Sequence, residues 1–215
     1  MILSTGRKYV FIHIPKTGGT SLALALERRA MKDDVMLGDT PKARRRRHRV
    51  KGMQTRGRLW KHSTLADIDG LVPGVVLDGL FAFTLVRNPW DRAVSYYHWL
   101  QTQGFDHEAV RLAQQLDFAA FISHPRTLAS FRNTPAAQYM ARADGREQCA
   151  AYIRIENFAQ DAAPLFAHLG FPVTLAIANT SERSADYRRY YTDQTAELLA
   201  QNCAPDIARF DYSFG

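Results

Sequence analysis

The chain has 215 residues, of which 46% are hydrophobic and 23% charged, a balance typical of one globular domain and not of a disordered or fibrous protein. No apolar run approaches the roughly 18 residues that a membrane-spanning helix needs, and the first residues lack the layout of a signal peptide. Its two cysteines do not make a disulfide framework, so we expect buried thiols in a reducing compartment. These properties predict a single domain over 1–215, located in the cytoplasm.

The first predicted element is a short buried strand, because Tyr9 to Ile14 is an apolar run with β-branched and aromatic members. Residues 1–8 are expected to be a short lead-in to it. Pro15 ends the strand, since proline has no N–H for a sheet ladder. A turn over 16–21 follows, and then strong helix formers, which predict a helix over 20–30.

The turn between this strand and this helix has the character of an anion site. A strand, a glycine turn and a helix in this order point backbone N–H groups and the positive end of a helix dipole at an anion. Glycines let the backbone approach that anion, hydroxyl groups add donors, and a lysine adds a point charge. The lysine precedes the glycines, so the order is not that of a Walker A loop. The alternative is a turn whose glycines serve packing alone. The residues predicted to cradle a phosphate are Lys16, Thr17, Gly18, Gly19, Thr20 and Ser21.

A strongly basic block follows an irregular polar stretch over 33–40. Residues 42–51 hold seven Lys or Arg residues and no acid. The chain's 28 basic residues less these seven leave 21, which balance its 21 acidic residues, so the net charge of +7 resides in this block. Such a block repels itself and is often mobile, and we predict a basic insertion in the domain at about 40–61. It is either a site for a polyanion (nucleic acid, an acidic glycan or an anionic membrane surface) or a solvated loop.

A second strand and helix repeat the pattern of the first. The run Leu80 to Val86 is almost wholly apolar, as in a strand buried on both faces of a parallel sheet. Asn88 is a good N-cap and Pro89 a good first helical residue, which predicts a helix over 89–102. Strands alternating with helices indicate an α/β fold with a parallel sheet.

Arg87 stands at the carboxyl end of this second strand, and Ser95 lies two turns into its helix. Ligands of open α/β sheets bind outside the carboxyl ends of the strands, so Lys16 and Arg87 are both expected near a ligand. The alternative for Arg87 is an ion pair with Asp91, and for Ser95 a helix residue without a special role.

The remaining predicted elements complete the alternation of helices and strands. Helical spacing with a break near Asp117 covers 105–124, a loop covers 125–135, and Ala151 to Ile155 is another parallel strand. Its helix is followed by Gly170, a typical C-cap. The other expectations are a helix over 158–169, a last helix capped by Thr192 or Asp193 and ending near Asn202, and an aromatic end-piece over 210–214.

Two stretches carry a resemblance to a known family: Pro-Lys-Thr-Gly-Gly-Thr-Ser at 15–21 and Leu-Val-Arg-Asn-Pro-Trp-Asp-Arg-Ala-Val-Ser-Tyr-Tyr at 85–97. Together they resemble sulfotransferases that use 3′-phosphoadenosine 5′-phosphosulfate (PAPS), in particular the group that includes uronyl 2-O-sulfotransferases and bacterial relatives. The resemblance implies a P-loop-like three-layer fold with a central parallel sheet flanked by helices. It implies that the first stretch holds the 5′-phosphosulfate and that Arg87 and Ser95 hold the 3′-phosphate.

Two later stretches are similar to further segments of that family. Arg-Ile-Glu-Asn at 154–157 resembles a signature after the third strand, in which we interpret Arg154 and Glu156 as structural ion-pair partners. The stretch 179–191 resembles a late segment that lies over the cofactor. The resemblance makes Arg183 a candidate for a further contact with the 3′-phosphate, and the alternative is a loop arginine.

The resemblance also suggests a general base. His62 stands in a Lys-His-x-Thr setting between the two motifs, where the family carries a histidine thought to deprotonate the acceptor hydroxyl. Histidine titrates near neutral pH and can accept that proton. His13 is interpreted as a core or supporting histidine, and His98 is a weaker rival. The segment after His62 is expected to form a short capped helix.

The predicted function is transfer of a sulfuryl group from PAPS to an acceptor hydroxyl, on a glycan or another small or oligomeric acceptor that can itself be anionic. Lys16 and His62 are the predicted catalytic residues. No metal is expected, because no Cys/His/Asp cluster has ligand spacing, and nucleic acid is not the expected partner. The alternatives are a magnesium-dependent phosphotransferase and a nucleotide- or polyanion-binding protein without turnover. The oligomeric state and the acceptor stay open at this point.

Overall fold

The computed structural model describes residues 1–175 and 183–215. Within these residues the chain forms five strands and twelve α-helices. The strands are β1 (Ile2–Ser4), β2 (Tyr9–Ile12), β3 (Val35–Met36), β4 (Phe81–Val86) and β5 (Ala151–Arg154). The helices are α1 (Gly19–Glu27), α2 (Pro41–Arg46), α3 (Gly74–Asp78), α4 (Pro89–Gln101), α5 (Glu108–Gln115), α6 (Phe118–Ser123), α7 (Pro125–Arg132), α8 (Ala136–Tyr139), α9 (Phe158–Asp161), α10 (Ala163–Leu169), α11 (Asp193–Asn202) and α12 (Ala204–Phe210).

The described residues divide into two compact units. The first consists of 1–86 and 136–175, and the second of 87–135 and 183–215. The first unit contains all five strands, and the second contains α4 to α7, α11 and α12.

A sheet with strand order β3-β1-β2-β4-β5 organises the first unit. β2 pairs in parallel with β4, and β4 pairs in parallel with β5. β1 pairs antiparallel with β2 and with β3, so four of the five strands run in one direction. The structure therefore confirms the predicted α/β class with a mostly parallel central sheet, as in the P-loop-like three-layer fold that the resemblance implies.

Helices of the first unit cover one face of this sheet. Leu22 and Leu26 of α1 and Leu165 of α10 are buried in one cluster with Phe11 of β2 and Phe83 of β4. The rings of Phe11 and Phe83 are stacked, with their centroids 5.4 Å apart. Because α1 is anchored on the sheet in this way, its N-terminus stays at the carboxyl end of β2.

Residues 1–8, expected to be a short lead-in, contain a strand that the sequence analysis did not predict. Ile2–Ser4 is β1, an inner strand of the sheet, with Ile2 opposite Phe11 and Leu3 opposite Val10. Three residues are too few for a periodic pattern, so the strand depends on its partners and not on its own sequence. The stretch 33–40, expected to be irregular, contains β3 for the same reason.

The basic segment contains regular structure, namely α2 and a 3₁₀ helix over Arg47–Val50, and its being an insertion in the domain stays a prediction. The backbone N–H of Lys42 donates to Glu27 Oε2 (2.9 Å), and Lys42 Nζ donates to the Glu27 carbonyl oxygen at the end of α1 (2.7 Å). Ala43 is buried, and Arg46 Nη1 donates to the Asp34 carbonyl oxygen (3.3 Å). These contacts hold α2 on the first unit and leave an exposed basic face of Arg44, Arg45, Arg47, Arg49 and Lys51.

The second unit is helical and has its own core, which includes Trp90, Phe121 and Leu199. The predicted break near Asp117 is confirmed, because the Asp117 side chain caps α6 by accepting from the Ala120 N–H (2.8 Å). The predicted loop over 125–135 is wrong, since α7 occupies most of it. His124 caps α7 through a hydrogen bond from the Arg126 N–H (3.3 Å), a histidine cap that propensity rules do not include.

The end of the chain fits the sequence prediction in part. Thr192 caps α11, which ends at Asn202 as expected, but α12 follows it, so α11 is not the last helix. The aromatic end-piece packs down as predicted, with the Phe214 ring 5.5 Å from the rings of Trp90 and Tyr191. In the first unit, the predicted helix over 158–169 is divided into α9 and α10, and Gly170 ends it with a φ of 75°.

None of the helices in the described parts of the chain has the length and apolar character needed to cross a membrane. Cys203 is buried in the second unit, and burial raises the pKa of its thiol to about 12.

Candidate functional site

The loop between β2 and α1 is compact and partly strained. Lys16 has a φ of 67°, in the left-handed region that a non-glycine residue rarely adopts. Thr17 is 1% exposed, and its Oγ1 donates to the Ile14 carbonyl oxygen at 2.9 Å. This hydrogen bond joins the Thr17 side chain to the backbone before the loop, so the Thr17 hydroxyl stabilises the loop conformation. A strained residue of this kind is more frequent at functional sites than elsewhere.

The two glycines of this loop are required by close packing. A Cβ atom on Gly19 would lie 2.2 Å from Cδ2 of the His13 ring. A Cβ atom on Gly18 would lie 2.1 Å from Ile155 Cδ1, and Gly18 has a φ of 83°. This supports the packing role that the sequence analysis kept as the alternative, and the close approach of an anion to these glycines stays a prediction.

The start of α1 presents amide groups in the arrangement that anions bind. Gly18 is the N-cap residue and offers no side-chain oxygen to the helix. The first amide of the helix with a backbone acceptor is that of Ser21, which donates to the Gly18 carbonyl oxygen at 3.0 Å. The N–H groups of Gly19 and Thr20 precede it and lie at the positive end of a nine-residue helix. This geometry is suited to the phosphate of a bound nucleotide.

His62 is held by a hydrogen bond to the backbone of His13. Its Nδ1 lies 2.7 Å from the His13 carbonyl oxygen. A carbonyl can only accept, so Nδ1 carries the hydrogen and Nε2 carries the lone pair. The His62 ring lies edge-on to the rings of His13 and Trp60, with centroids 4.6 and 5.1 Å away. The structure thus fixes the tautomer in which Nε2 can take a proton.

Burial sets the charge of both histidines. Desolvation lowers the pKa of His62 from 6.5 to about 4, although its hydrogen bond to the His13 carbonyl opposes this shift. Desolvation also holds the pKa of His13 well below its ordinary value. Both rings are therefore neutral at pH 7, the state in which a base can accept a proton. The expectation that His62 titrates near neutral pH is wrong, because burial makes its imidazole a weaker base than an exposed one.

The turn that carries His62 is tied down by a buried serine. Ser63 is fully buried, accepts from the Trp60 N–H at 2.8 Å, and donates to the Arg58 carbonyl oxygen at 2.8 Å. On the other side, Lys61 forms an ion pair with Asp39 at 2.8 Å. Sequence reasoning missed Asp39 and the buried role of Ser63, because neither has a motif.

The expected short helix after His62 is absent from this described stretch, where 65–70 forms turns. A reciprocal pair of capping hydrogen bonds is nevertheless present. The Thr64 N–H donates to Asp67 Oδ2 at 2.8 Å, and the Asp67 N–H donates to Thr64 Oγ1 at 3.1 Å. Capping chemistry therefore fixed a turn here and not a helix.

In the second unit, Asp91 on α4 joins two of the predicted site residues. Its Oδ2 accepts from Arg87 Nε at 2.8 Å and from Arg87 Nη2 at 2.6 Å. Its Oδ1 lies 2.7 Å from Arg183 Nη2. The Arg87, Asp91 and Arg183 side chains are only 17%, 18% and 12% exposed. The alternative for Arg87, an ion pair with Asp91, is thus present, but as part of a three-residue cluster and not as a surface pair.

This cluster contains a buried donor that none of the described residues satisfies. Arg183 Nη1 is shielded from solvent and has no hydrogen-bond partner within 1–175 and 183–215. Ser95, one turn after Asp91 on α4, is 7% exposed. A phosphate group is the kind of ligand that an unsatisfied buried guanidinium accommodates. Of the late segment that resembles the family, 179–182 lies outside the described residues.

The stretch at 154–157 contributes to the site by packing. Arg154 forms a structural ion pair with Asp161, in which Nε and Oδ2 are 2.7 Å apart. Ile155, between the two charged residues of the motif, fills the space that the missing side chain of Gly18 leaves. Sequence reasoning could not identify this link between the motif and the loop.

Metal ligands do not cluster in the described part of the chain, where no group of three or more His, Cys, Asp or Glu side chains could hold an ion. The independence from metal stays a prediction.

Comparison with known proteins adds one finding. A family model described as "Sulfotransferase family" matches residues 1–214. No curated protein and no solved structure matches the chain.

Proposed function

Since the chain belongs to the sulfotransferase family, we propose that it transfers a sulfuryl group from PAPS to a hydroxyl group of its acceptor, a glycan or another small or oligomeric molecule. The observation that carries the proposal is the His62 imidazole, which is held in one tautomer by the His13 carbonyl, while the His13 ring packs on Gly19 of the loop. We further propose that 1–215 acts as one sulfotransferase domain in the cytoplasm.

The residues of the loop before α1 are suited to the 5′ end of PAPS. We assign the 5′-phosphosulfate to Lys16, Thr17, Gly18, Gly19, Thr20 and Ser21. When bound, PAPS supplies an activated sulfuryl group attached to a phosphate leaving group. Lys16 adds a positive charge, and the amides at the start of α1 are held by the helix, so together they can neutralise charge that develops on the bridging oxygen.

The residues of the second unit are suited to the 3′-phosphate. Arg87 and Arg183 provide guanidinium donors, and Ser95 provides a hydroxyl. Asp91 holds both guanidinium groups in place, with 2.6 and 2.7 Å separating its oxygens from the nearest Arg87 and Arg183 nitrogens. Binding energy at this end positions the sulfuryl group for reaction.

His62 is the proposed general base. Its neutral ring accepts the acceptor's hydroxyl proton at Nε2, and the resulting positive charge is delocalised toward Nδ1–H, which donates to the His13 carbonyl oxygen. His13 acts through this carbonyl and so has a positioning role. Its buried side chain is not the base.

One observation favours an anionic acceptor or, as a second function, polyanion binding without turnover. The exposed basic face of α2 and the 3₁₀ helix after it contains five Lys or Arg side chains: Arg44, Arg45, Arg47, Arg49 and Lys51. A surface of this kind attracts acidic ligands over a Debye length. No observation favours a phosphotransferase, and the lysine of the loop precedes the glycines.

Calorimetric titration with 3′-phosphoadenosine 5′-phosphate (PAP) tests the proposal, beside ATP and AMP, in buffer containing EDTA. We expect PAP to bind at least about tenfold more tightly than AMP, because only PAP has the 3′-phosphate. A preference for magnesium–ATP contradicts the proposal and favours the phosphotransferase. PAP binding without PAPS-dependent sulfation of any hydroxyl acceptor supports the non-enzymatic alternative.

A further inference from the structure

A second buried polar atom of the helical unit lacks a partner. His98 Nε2 on α4 is shielded from solvent and makes no hydrogen bond to any residue of the described ranges, as is also true of Arg183 Nη1. Buried polar atoms are almost always hydrogen-bonded, because leaving one unsatisfied has a desolvation cost. Asp91 Oδ1, the third such atom of the described part of this unit, at least lies 2.7 Å from Arg183 Nη2 in an ion pair. The two nitrogens, His98 Nε2 and Arg183 Nη1, indicate a missing polar ligand.

His98 lies on the same side of α4 as Asp91 and Ser95. Asp91, Ser95 and His98 are spaced four and three residues apart, so they lie on one side of the helix. Asp91 binds Arg183 on this side, at 2.7 Å. The three side chains therefore form one polar stripe that includes the predicted phosphate ligand Ser95.

A second chain of contacts links His98 to Arg183. The His98 ring lies 5.2 Å from the Tyr190 ring, edge-on. The Tyr190 hydroxyl oxygen accepts from the backbone N–H of Ser184 at 3.0 Å, and Ser184 is the neighbour of Arg183. Desolvation by burial lowers the pKa of His98, and the charge of Arg183 lowers it further. The two groups are thus within electrostatic reach of each other.

We propose that His98 is a further binding residue for the 3′-phosphate, to which Nε2–H donates alongside Arg183 Nη1. This inference rests on the proposed function, and it assigns His98 to cofactor selection and not to proton abstraction. A phosphate oxygen satisfies both orphan donors at once, since a phosphate group offers several acceptor lone pairs in a small volume.

The ring geometry explains why a histidine serves here. The Tyr190 ring packs edge-on against the His98 ring, so the direction in which Nε2 points is set by packing before the ligand arrives. A lysine at this position would instead place a point charge on a flexible side chain, whose direction packing does not set. The contribution expected of His98 is therefore selectivity for the 3′-phosphate over a 3′-hydroxyl.

Titration calorimetry of the full chain with PAP and with AMP tests this inference. In His98→Leu, we expect PAP affinity to fall about tenfold or more, as for a lost hydrogen bond to a charged group, and AMP affinity to stay within about twofold. In His98→Gln, whose Nε2 can donate from a similar place, we expect most of the PAP affinity to be kept. Gln101→Leu, an exposed position on the same helix, serves as the control.

The outcomes separate this inference from the function on which it rests. Wild-type protein that binds PAP selectively, with a His98→Leu variant that keeps this selectivity or loses PAP and AMP affinity equally, overturns the role of His98 alone. Wild-type protein that prefers magnesium–ATP to PAP overturns both. If His98→Leu does not fold, the ³¹P resonances of bound PAP in wild type and His98→Gln decide: a changed 3′ resonance with an unchanged 5′ resonance supports the contact, and two unchanged resonances contradict it.

Discussion

The Nδ1 atom of His62 lies 2.7 Å from the carbonyl oxygen of His13, a residue 49 positions earlier in the chain. His13 follows β2 directly, and its ring occupies the space where Gly19 has no side chain. The candidate base and the candidate phosphate loop of the first unit are therefore connected through one residue. A substitution in the loop that moves His13 should therefore also move the His62 ring.

Removal of the His62 imidazole should abolish most activity and leave cofactor binding intact. For His62→Ala we expect a fall in kcat of about 10²–10⁴, as for a lost general base, with the Kd for PAP nearly unchanged. The exposed His48 provides the control, since His48→Ala should keep its rate. Steady-state kinetics and calorimetry measure both quantities, and a His62→Ala enzyme with full rate would remove His62 from the mechanism.

The packing of Gly19 on His13 predicts a large effect of a single methyl group. In Gly19→Ala the new Cβ would lie 2.2 Å from the His13 ring, so the ring must move. We expect a loss of about 1–3 kcal/mol in the free energy of unfolding, as for other overpacked sites, together with a lower kcat. Gly74→Ala is the matched control, because a Cβ there meets no atom within 4 Å, and its unfolding free energy should be unchanged or slightly higher. Urea unfolding curves that match for the two variants would contradict the packing argument.

Burial of His62 predicts that stability depends on pH. The pKa of His62 falls from 6.5 in the unfolded chain to about 4 in the folded chain. Between these values the unfolded chain binds more protons, so the free energy of unfolding is highest above pH 6.5 and decreases as the pH falls toward 4. The loss attributable to this group is on the order of 2–3 kcal/mol.

Urea unfolding of wild type and His62→Gln at pH 7.5 and pH 4.5 measures this dependence. The variant should lose less stability than wild type between the two pH values, because glutamine does not titrate. Equal losses in the two proteins would show that the His62 imidazole is not buried as the structure has it.

The cluster around Asp91 predicts selective loss of 3′-phosphate recognition. Arg87→Ala should weaken binding of PAP by about 10–100-fold and leave AMP binding within about twofold, because a charge-assisted hydrogen bond contributes roughly 1.5–3 kcal/mol. Arg111 is the matched control, since its side chain is 58% exposed and pairs with Asp106 in the same unit. Calorimetry gives the four affinities. If PAP and AMP weaken equally in Arg87→Ala, the assigned contact is wrong.

Local patterns predicted the elements that carry the motifs. β2, α1, β4 and α4 all begin and end within three residues of their predicted bounds, because apolar runs, capping residues and prolines act over a few neighbouring positions. The same patterns failed for β1 and α7. β1 exists because β2 and β3 pair with it, and α7 begins at a histidine cap.

The charge of the basic segment did not predict the helices that it contains. Repulsion among seven basic side chains favours a mobile chain. Two contacts of Lys42 with Glu27 and the burial of Ala43 outweigh it, and they involve a residue 15 positions away. Whether these contacts outweigh the repulsion depends on the position of the end of α1 in the folded chain. No local sequence pattern predicts that position.

The sequence by itself determined the family resemblance, the α/β class, and the residue types available for an anion: a lysine, hydroxyls, two glycines and two arginines. Only the tertiary structure decided which nitrogen of His62 carries its hydrogen, that Asp91 joins Arg87 to Arg183, and that His98 Nε2 is buried without a partner in the described chain. Motifs act over neighbouring residues, whereas tautomers, ion-pair clusters and desolvation depend on groups that the fold brings together from distant positions. His13 and His62 are 49 residues apart, and Asp91 and Arg183 are 92 apart, so their relationships arise only when the chain has folded.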